Sequence, residues 1–325
     1  MGVNKINKPW HRLTNWSALL VFVLIISSCA AQDLSSKNGF DLSNASVAIE
    51  EILSGGPGKD GIPAINKPVF VDASSAEFIQ DEDRVLALEI DGVSKAYPIK
   101  ILNWHEIVND RIGTTAFAVT YCPLCGTGVV FSRQLDNQVL RFGVSGLLYN
   151  SDVLLYDDQT KSLFSQILSQ AISGPLVGKK LETLISTHTT WGKWRQLHPR
   201  SLVLSTATGY HRDYERNPYG DYASSRVLYF PVASSDMAKR FHPKETVLGL
   251  VDDDRIKAYP FSELDKQGRT SFVDVIDGKA YTIEWDSQSR TANIFDEQGQ
   301  SVFTLQSFYF AWMAFYPETR LFSAP

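Results

Sequence analysis

Two cysteines three positions apart, Cys122 and Cys125, stand inside the stretch Ala118-Val119-Thr120-Tyr121-Cys122-Pro123-Leu124-Cys125-Gly126-Thr127-Gly128-Val129-Val130-Phe131. An apolar, β-branched run leads into the Cys-Pro-Leu-Cys-Gly turn and a second run leads out. The pattern predicts a strand–turn–strand hairpin with both thiols at its tip. Such a turn points both sulfurs to one side, and the glycine can take the positive φ that a tight turn requires. Paired thiolates suit a borderline or soft metal, here zinc or copper.

The pentad is similar to the knuckles of rubredoxins and zinc ribbons, which join two knuckles into a four-sulfur site. This chain has one knuckle, and its remaining cysteine, Cys29, lies far upstream. Further ligands must come from His, Asp, Glu or a second molecule. His105 is the leading third ligand. Apolar residues at 101, 104, 107 and 108 predict a short helix over Ile101–Asp110, with His105 on its inward side. The run His105-Glu106-Ile107-Val108-Asn109 falls short of the His-Glu-x-x-His zinc helix, because Asn109 stands where the second histidine belongs. A metalloprotease is excluded on that ground. Thiol–disulfide exchange between Cys122 and Cys125 is the alternative, and a structural disulfide in a partner-binding protein is another. Redox pairs of the thioredoxin type open a helix, whereas Gly126-Thr127-Gly128-Val129-Val130 reads as turn and strand.

Two other polar stretches are candidate pocket walls. Asn150, Ser151 and Asp152 end the small-residue run that starts at Gly143, and they suit either a pocket or an Asx-turn. Residues 208–220 are dense in Tyr, Arg and Asp, and read as an ordered loop. Glu106, His211, Arg212 and Asp213 complete the pocket set, with His211 and His198 as weaker choices for a remaining ligand. No Gly-x-Ser-x-Gly elbow or phosphate-binding glycine loop is present.

The elements that must position these groups come in an order that recurs. Val85–Ile90, a tight Asp91-Gly92 turn and Ser94–Ile99 form a hairpin, followed by the short helix and the cysteine hairpin. Val247–Leu250 and Lys257-Ala258-Tyr259-Pro260 repeat the first hairpin, displaced by 162 residues. At that displacement Cys122 falls on Glu284, Cys125 on Ser287 and His105 on Gln267. Trp194-x3-His198-Pro199 matches Trp312-x3-Tyr316-Pro317 at a displacement of 118, so the first copy carries about 44 additional residues between Leu135 and Leu184. The expected fold is therefore a β-rich α+β protein made of two diverged copies packed as a pseudo-symmetric pair. Residues 67–210 form the first copy, 211–240 an ordered connection and 241–325 the second, degenerate copy. Because the second copy lacks the thiols, they read as a site added to the fold.

The chain of 325 residues opens on a basic segment with Lys5, Lys8 and Arg12, then an apolar segment Ala18–Ile26 ending in Ile26-Ser27-Ser28-Cys29. This resembles a bacterial lipoprotein signal over residues 1–28, which would make Cys29 the lipidated first residue and hold the protein on a membrane without spanning it. The expected location is the periplasmic or cell-surface side of a bacterial membrane, an oxidising compartment. Residues 29–66, rich in Ser, Gly, Asn and Asp, read as a flexible tether. Without residues 1–28 the balance is 28 basic to 36 acidic side chains. No basic run or aromatic-basic cluster stands out, which argues against nucleic acid as a partner. Nothing in the sequence points to a particular protein partner.

Several stretches together resemble a bacterial family, the domain of unknown function numbered 3179. They are Asp60–Ile65, Lys95–Pro98, Ile101–Asp110, Thr120–Thr127, Gly143–Asp152 and Arg212–Tyr214, within roughly residues 60–325. The resemblance implies an exported or surface-attached protein and carries over no activity.

Overall fold

Short β-branched and aromatic runs punctuated by two-residue turns carry most of this chain, and they fold as strands. The computed structural model describes residues 35–232 and 239–325, so the signal segment and Cys29 lie outside the described residues. Of the described residues 42% are strand and 12% helix, in a five-bladed, β-propeller-like arrangement. This corrects the expected α+β pair of copies. Among the described residues α-helix is limited to four seven-residue pieces, α1 (Ile99–His105), α2 (Trp191–Leu197), α3 (Phe261–Gln267) and α4 (Tyr309–Phe315), with short 3-10 turns at Ile49–Glu51 and Ala73–Ser75. None is long enough to form a layer of its own.

Among the described residues, five sheets of three to five strands hold most of the strands, and two two-stranded ribbons, Ser36–Lys37 with Phe40–Asp41 and Gln134–Leu135 with Gln138–Val139, hold the rest. Sheet A runs Gln170–Ser173, Leu163–Ser165, Asp152–Asp157, Phe142–Tyr149 and Ile52–Ser54. Sheet B, which carries the thiols, runs Thr183–Leu184, Thr127–Ser132, Thr115–Cys122 and Ile107–Ile112. Sheet C runs Thr187–Thr190, Arg84–Ile90, Val93–Pro98, Leu202–Leu204 and Phe70–Asp72. Sheet D runs Thr304–Phe308, Thr246–Asp252, Arg255–Pro260 and Arg320–Leu321, and sheet E runs Ser271–Ile276, Lys279–Asp286 and Thr291–Phe295. Part of the expected tether belongs to this body. Phe40, Leu42 and Ile52 are fully buried, and Ile52–Ser54 pairs with Leu147–Tyr149.

Helix α1 is shorter than the apolar spacing predicts. Glu106 takes a left-handed conformation (φ 58°) that ends the helix, and Ile107 opens a strand. Ile107 and Val108 therefore owe their burial to sheet B rather than to a helical stripe.

The Lys-Ala-Tyr-Pro tetrads have a structural explanation. Lys95 Nζ and Tyr97 Oη both donate to Asp110 Oδ2, at 2.7 and 2.6 Å. Lys257 and Tyr259 hold Asp274 Oδ2 in the same way, at 2.5 and 2.8 Å. In each case the alternating Lys and Tyr lie on one face of a strand, so one carboxylate on the strand after the helix can accept from both. The clasp ties sheet C to sheet B and sheet D to sheet E.

Strand registers correct one sequence alignment. Val85 pairs with Pro98 and Val247 with Pro260, a displacement of 162. Beyond the helices the displacement is 164, since Ile107 pairs with Thr120 and Ser271 with Glu284. Two additional residues, Arg269 and Thr270, follow the cap of α3. The position facing Cys122 is thus Asp286, not Glu284, and that facing Cys125 is Ser289, not Ser287. Cys122 pairs with Thr127 as Asp286 pairs with Thr291.

Candidate metal centre

The cysteine turn sits where sheet B meets the core built with sheet D. Cys122 and Cys125 are buried among Leu124, Val247, Leu305, Tyr309 and Phe310. The backbone of Phe308 donates to Cys125 O at 2.7 Å, which fixes the turn against the neighbouring sheet. Gly126 has φ 61°, and a Cβ there would lie 2.9 Å from the Phe308 ring. Arg290 holds the matching position in sheet E at φ 49°. The fold accepts a side chain in that conformation, but the ring beside Gly126 does not. Gly126→Ala is expected to cost about 1–3 kcal/mol, from left-handed strain plus displacement of the ring. Urea unfolding checks this, with no change in midpoint as the contrary result.

A second hairpin end meets the first. Asn150 and Ser151, at φ 50° and 64°, form the two-residue turn between Phe142–Tyr149 and Asp152–Asp157. Positive φ at both positions is the geometry of a type I′ turn, which prefers Asn and Gly; Ser151 carries strain there. The turn aims the Ser151 carbonyl at both thiols, accepting from Cys125 Sγ at 3.2 Å and lying 3.7 Å from Cys122 Sγ. It also starts the next strand at Asp152, whose carboxylate joins the sulfurs.

One oxygen from Asp152 and the two sulfurs all lie within 4.8 Å of one another, and all three residues are buried. Asp152 Oδ2 accepts from the Ile167 backbone at 3.0 Å, while Oδ1 is buried with no hydrogen-bond partner among the described residues. Burial holds the Asp152 carboxyl up at about 8 although the backbone N–H groups of Ile167, Val153 and Gln166 pull it down, and the Glu106 carboxylate adds to the upward shift. The Cys125 thiol is pushed well above its ordinary range, first by burial and then by Cys122. Both cysteines are free thiols.

Lys244 acts on Cys125 in the opposite sense. Its ammonium is buried, donates to the carbonyls of Val227 and Ser225 at 2.9 and 3.2 Å, and lies 3.6 Å from the Tyr222 ring centroid. Burial lowers its pKa to about 8. Nothing in the sequence singled out Lys244 or Tyr222, since neither belongs to a spaced motif.

The other expected residues are distributed more widely. His105 is buried, but Nδ1 lies 2.8 Å from Pro63 O and Nε2 lies 2.7 Å from Tyr214 Oη, so both ring nitrogens are engaged away from the thiols. The three-donor group has Asp152 where the sequence put His105. Glu106 is buried and accepts from Tyr219 Oη at 3.0 Å; burial raises it to about 7. Asn150 Nδ2 donates to Ala314 O at 3.4 Å, and Ser151 Oγ to Phe230 O at 3.2 Å. His211, Arg212 and Asp213 are exposed on their loop, with the Arg212 guanidinium 5.8 Å from the Trp104 ring centroid. His198 stacks on Trp194, and its Nδ1 lies 3.0 Å from Glu89.

The donor set fits a metal ion by its chemistry. Two sulfurs and a carboxylate oxygen converge, all three residues are buried, and Asp152 Oδ1 has no hydrogen-bond partner among the described residues. No curated protein and no solved structure matches the chain. One family does match, over residues 59–319, and is described as a protein of unknown function (DUF3179). That span holds both thiols, Asp152 and both clasps, and the chain belongs to this family.

Proposed function

We propose that this is an exported, lipid-anchored protein that binds one metal ion through Cys122, Cys125 and Asp152. The observation that carries the reading is the buried, unpartnered Asp152 Oδ1 beside two buried thiols. A buried carboxylate oxygen without a partner costs on the order of 1–3 kcal/mol, and a cation shared with two thiolates removes that cost. Thiolates suit zinc and copper alike, but the harder carboxylate oxygen favours zinc. Three protein ligands leave a fourth position, the arrangement of sites where zinc polarises a bound group. The protein's own part is to hold the three donors, exclude water and keep Lys244 near as a countercharge.

Thiol–disulfide exchange fits the site less well. An exchanging thiol is exposed and acidified, whereas Cys125 is fully buried and its thiol is shifted upward. Cys122, too, is buried, so neither sulfur is presented to a substrate disulfide.

Metal analysis of protein purified under reducing conditions tests the reading. The expected result is one zinc per chain in the wild type and none in the Cys122→Ser, Cys125→Ser double variant. Equal loading of the two proteins sinks it. Export and anchoring are tested by palmitate labelling of cells, with Cys29→Ser expected to abolish the label. Label retained in that variant would overturn the anchor.

A further inference from the structure

A separate cavity of about 240 Å³ lies beside the metal centre. Its walls include Ile62, Val144, Leu148 and Phe230, with Tyr229 exposed to solvent. Among the described residues one carboxyl lines it, that of Glu106. Tyr219 Oη satisfies Oε1, and Oε2 has no hydrogen-bond partner among the described residues. A buried carboxyl with a free oxygen on an apolar cavity is a polar anchor awaiting a donor.

The backbone at Glu106 gives a second, independent reason to read it as a site. It ends α1 in the left-handed region at φ 58°, a position that glycine occupies without cost. Gly268 does so at the matching end of α3, with φ 66°. A glutamate there costs roughly 1 kcal/mol that glycine avoids, and strain of this kind clusters at ligand sites.

We propose that this cavity binds a small primary amine carried on a short hydrocarbon body, with its ammonium on Glu106 Oε2 and its chain against Val144 and Leu148. Two observations select an amine over an alcohol or an acid. The open anchor is a carboxyl acceptor, and Tyr219, Tyr229 and Phe230 supply aromatic side chains that attract a cation. The cavity volume limits the body to a few carbons or one ring, well below a membrane lipid.

Isothermal titration of the full chain with hexylamine, hexanol and hexanoate tests the proposal, with and without added zinc. Hexylamine is expected to bind at least tenfold more tightly than hexanol, with no binding of hexanoate. Glu106→Gln keeps the acceptor for Tyr219 and is expected to bring hexylamine down to the level of hexanol. Val144→Phe, which fills the cavity, is expected to abolish binding of all three, with circular dichroism confirming that both variants are folded. Absence of hexylamine binding to the wild type, equal binding of hexanol or hexanoate, an unchanged preference in Glu106→Gln, or binding retained by folded Val144→Phe would each overturn it. The metal reading is unaffected by those outcomes, because its own measurement is the zinc content.

Discussion

Asp152→Asn is expected to raise the stability of the metal-free protein at pH 9 while abolishing metal binding. The Asp152 carboxyl sits at about 8 in the fold against an ordinary 3.8. Between those values the folded state holds a proton that the unfolded state has released. Stability from this group is therefore complete below about pH 4 and is lost as pH rises to about 8. The total is on the order of 5 kcal/mol by linkage, reduced in practice by relaxation around the charge. Asparagine keeps an acceptor for the Ile167 backbone and carries no charge, so its melting temperature should not show this loss. Glu106, also shifted up by burial, contributes a slope of its own in both proteins, less steep in the variant because the Asp152 charge no longer opposes it. Zinc should reverse the order, because it takes the place of the protons on Asp152 and Cys125 and stabilises only the wild type. Thermal unfolding at pH 5 and pH 9, with and without zinc, reads all four corners. A wild type that is the more stable at pH 9 without metal would contradict the assignment of Asp152 as a buried, uncompensated carboxyl.

Lys95→Met should destabilise the protein by about 3–5 kcal/mol, and Lys257→Met by clearly less. Both lysines hold a carboxylate together with a tyrosine, so the chemistry is the same. Their surroundings differ: the side chains of Lys95 and Asp110 are 8% and 7% exposed, those of Lys257 and Asp274 16% and 17%. Removing Lys95 leaves Asp110 buried with only Tyr97 as a side-chain donor, whereas Asp274 has more access to water. A double variant, Lys95→Met with Asp110→Asn, should recover part of the loss because the stranded charge goes with it. Denaturant midpoints check the series. Equal costs for the two lysines would mean that burial does not set the difference.

The clasps also show how far the sequence could be read. The repeated Lys-Ala-Tyr-Pro tetrads were visible, but their partners Asp110 and Asp274 were not, because the pairing runs between strands of different sheets. The displacement of 162 held along the hairpins and failed beyond the helices, where Arg269 and Thr270 enter. Two residues in a loop leave the periodicity of each strand untouched, so pattern alone cannot detect them. The helix predicted over Ile101–Asp110 failed for a related reason. Apolar residues at 101, 104, 107 and 108 satisfy helical spacing, yet the left-handed Glu106 splits them between a helix and a strand.

The cysteine hairpin was determined by the sequence itself. Its flanking runs are strongly β-forming, its turn is only the four residues Pro123–Gly126, and the interactions that shape it are local. Tertiary structure alone decided what stands opposite the thiols. His105 is close in sequence and turns to Pro63 and Tyr214, while Asp152 arrives from another sheet at the end of an Asn150-Ser151 turn. Alternation along a strand specifies which face a residue takes. It does not specify which two hairpin ends will meet, and it is that meeting which brings the buried Asp152 carboxyl to two sulfurs.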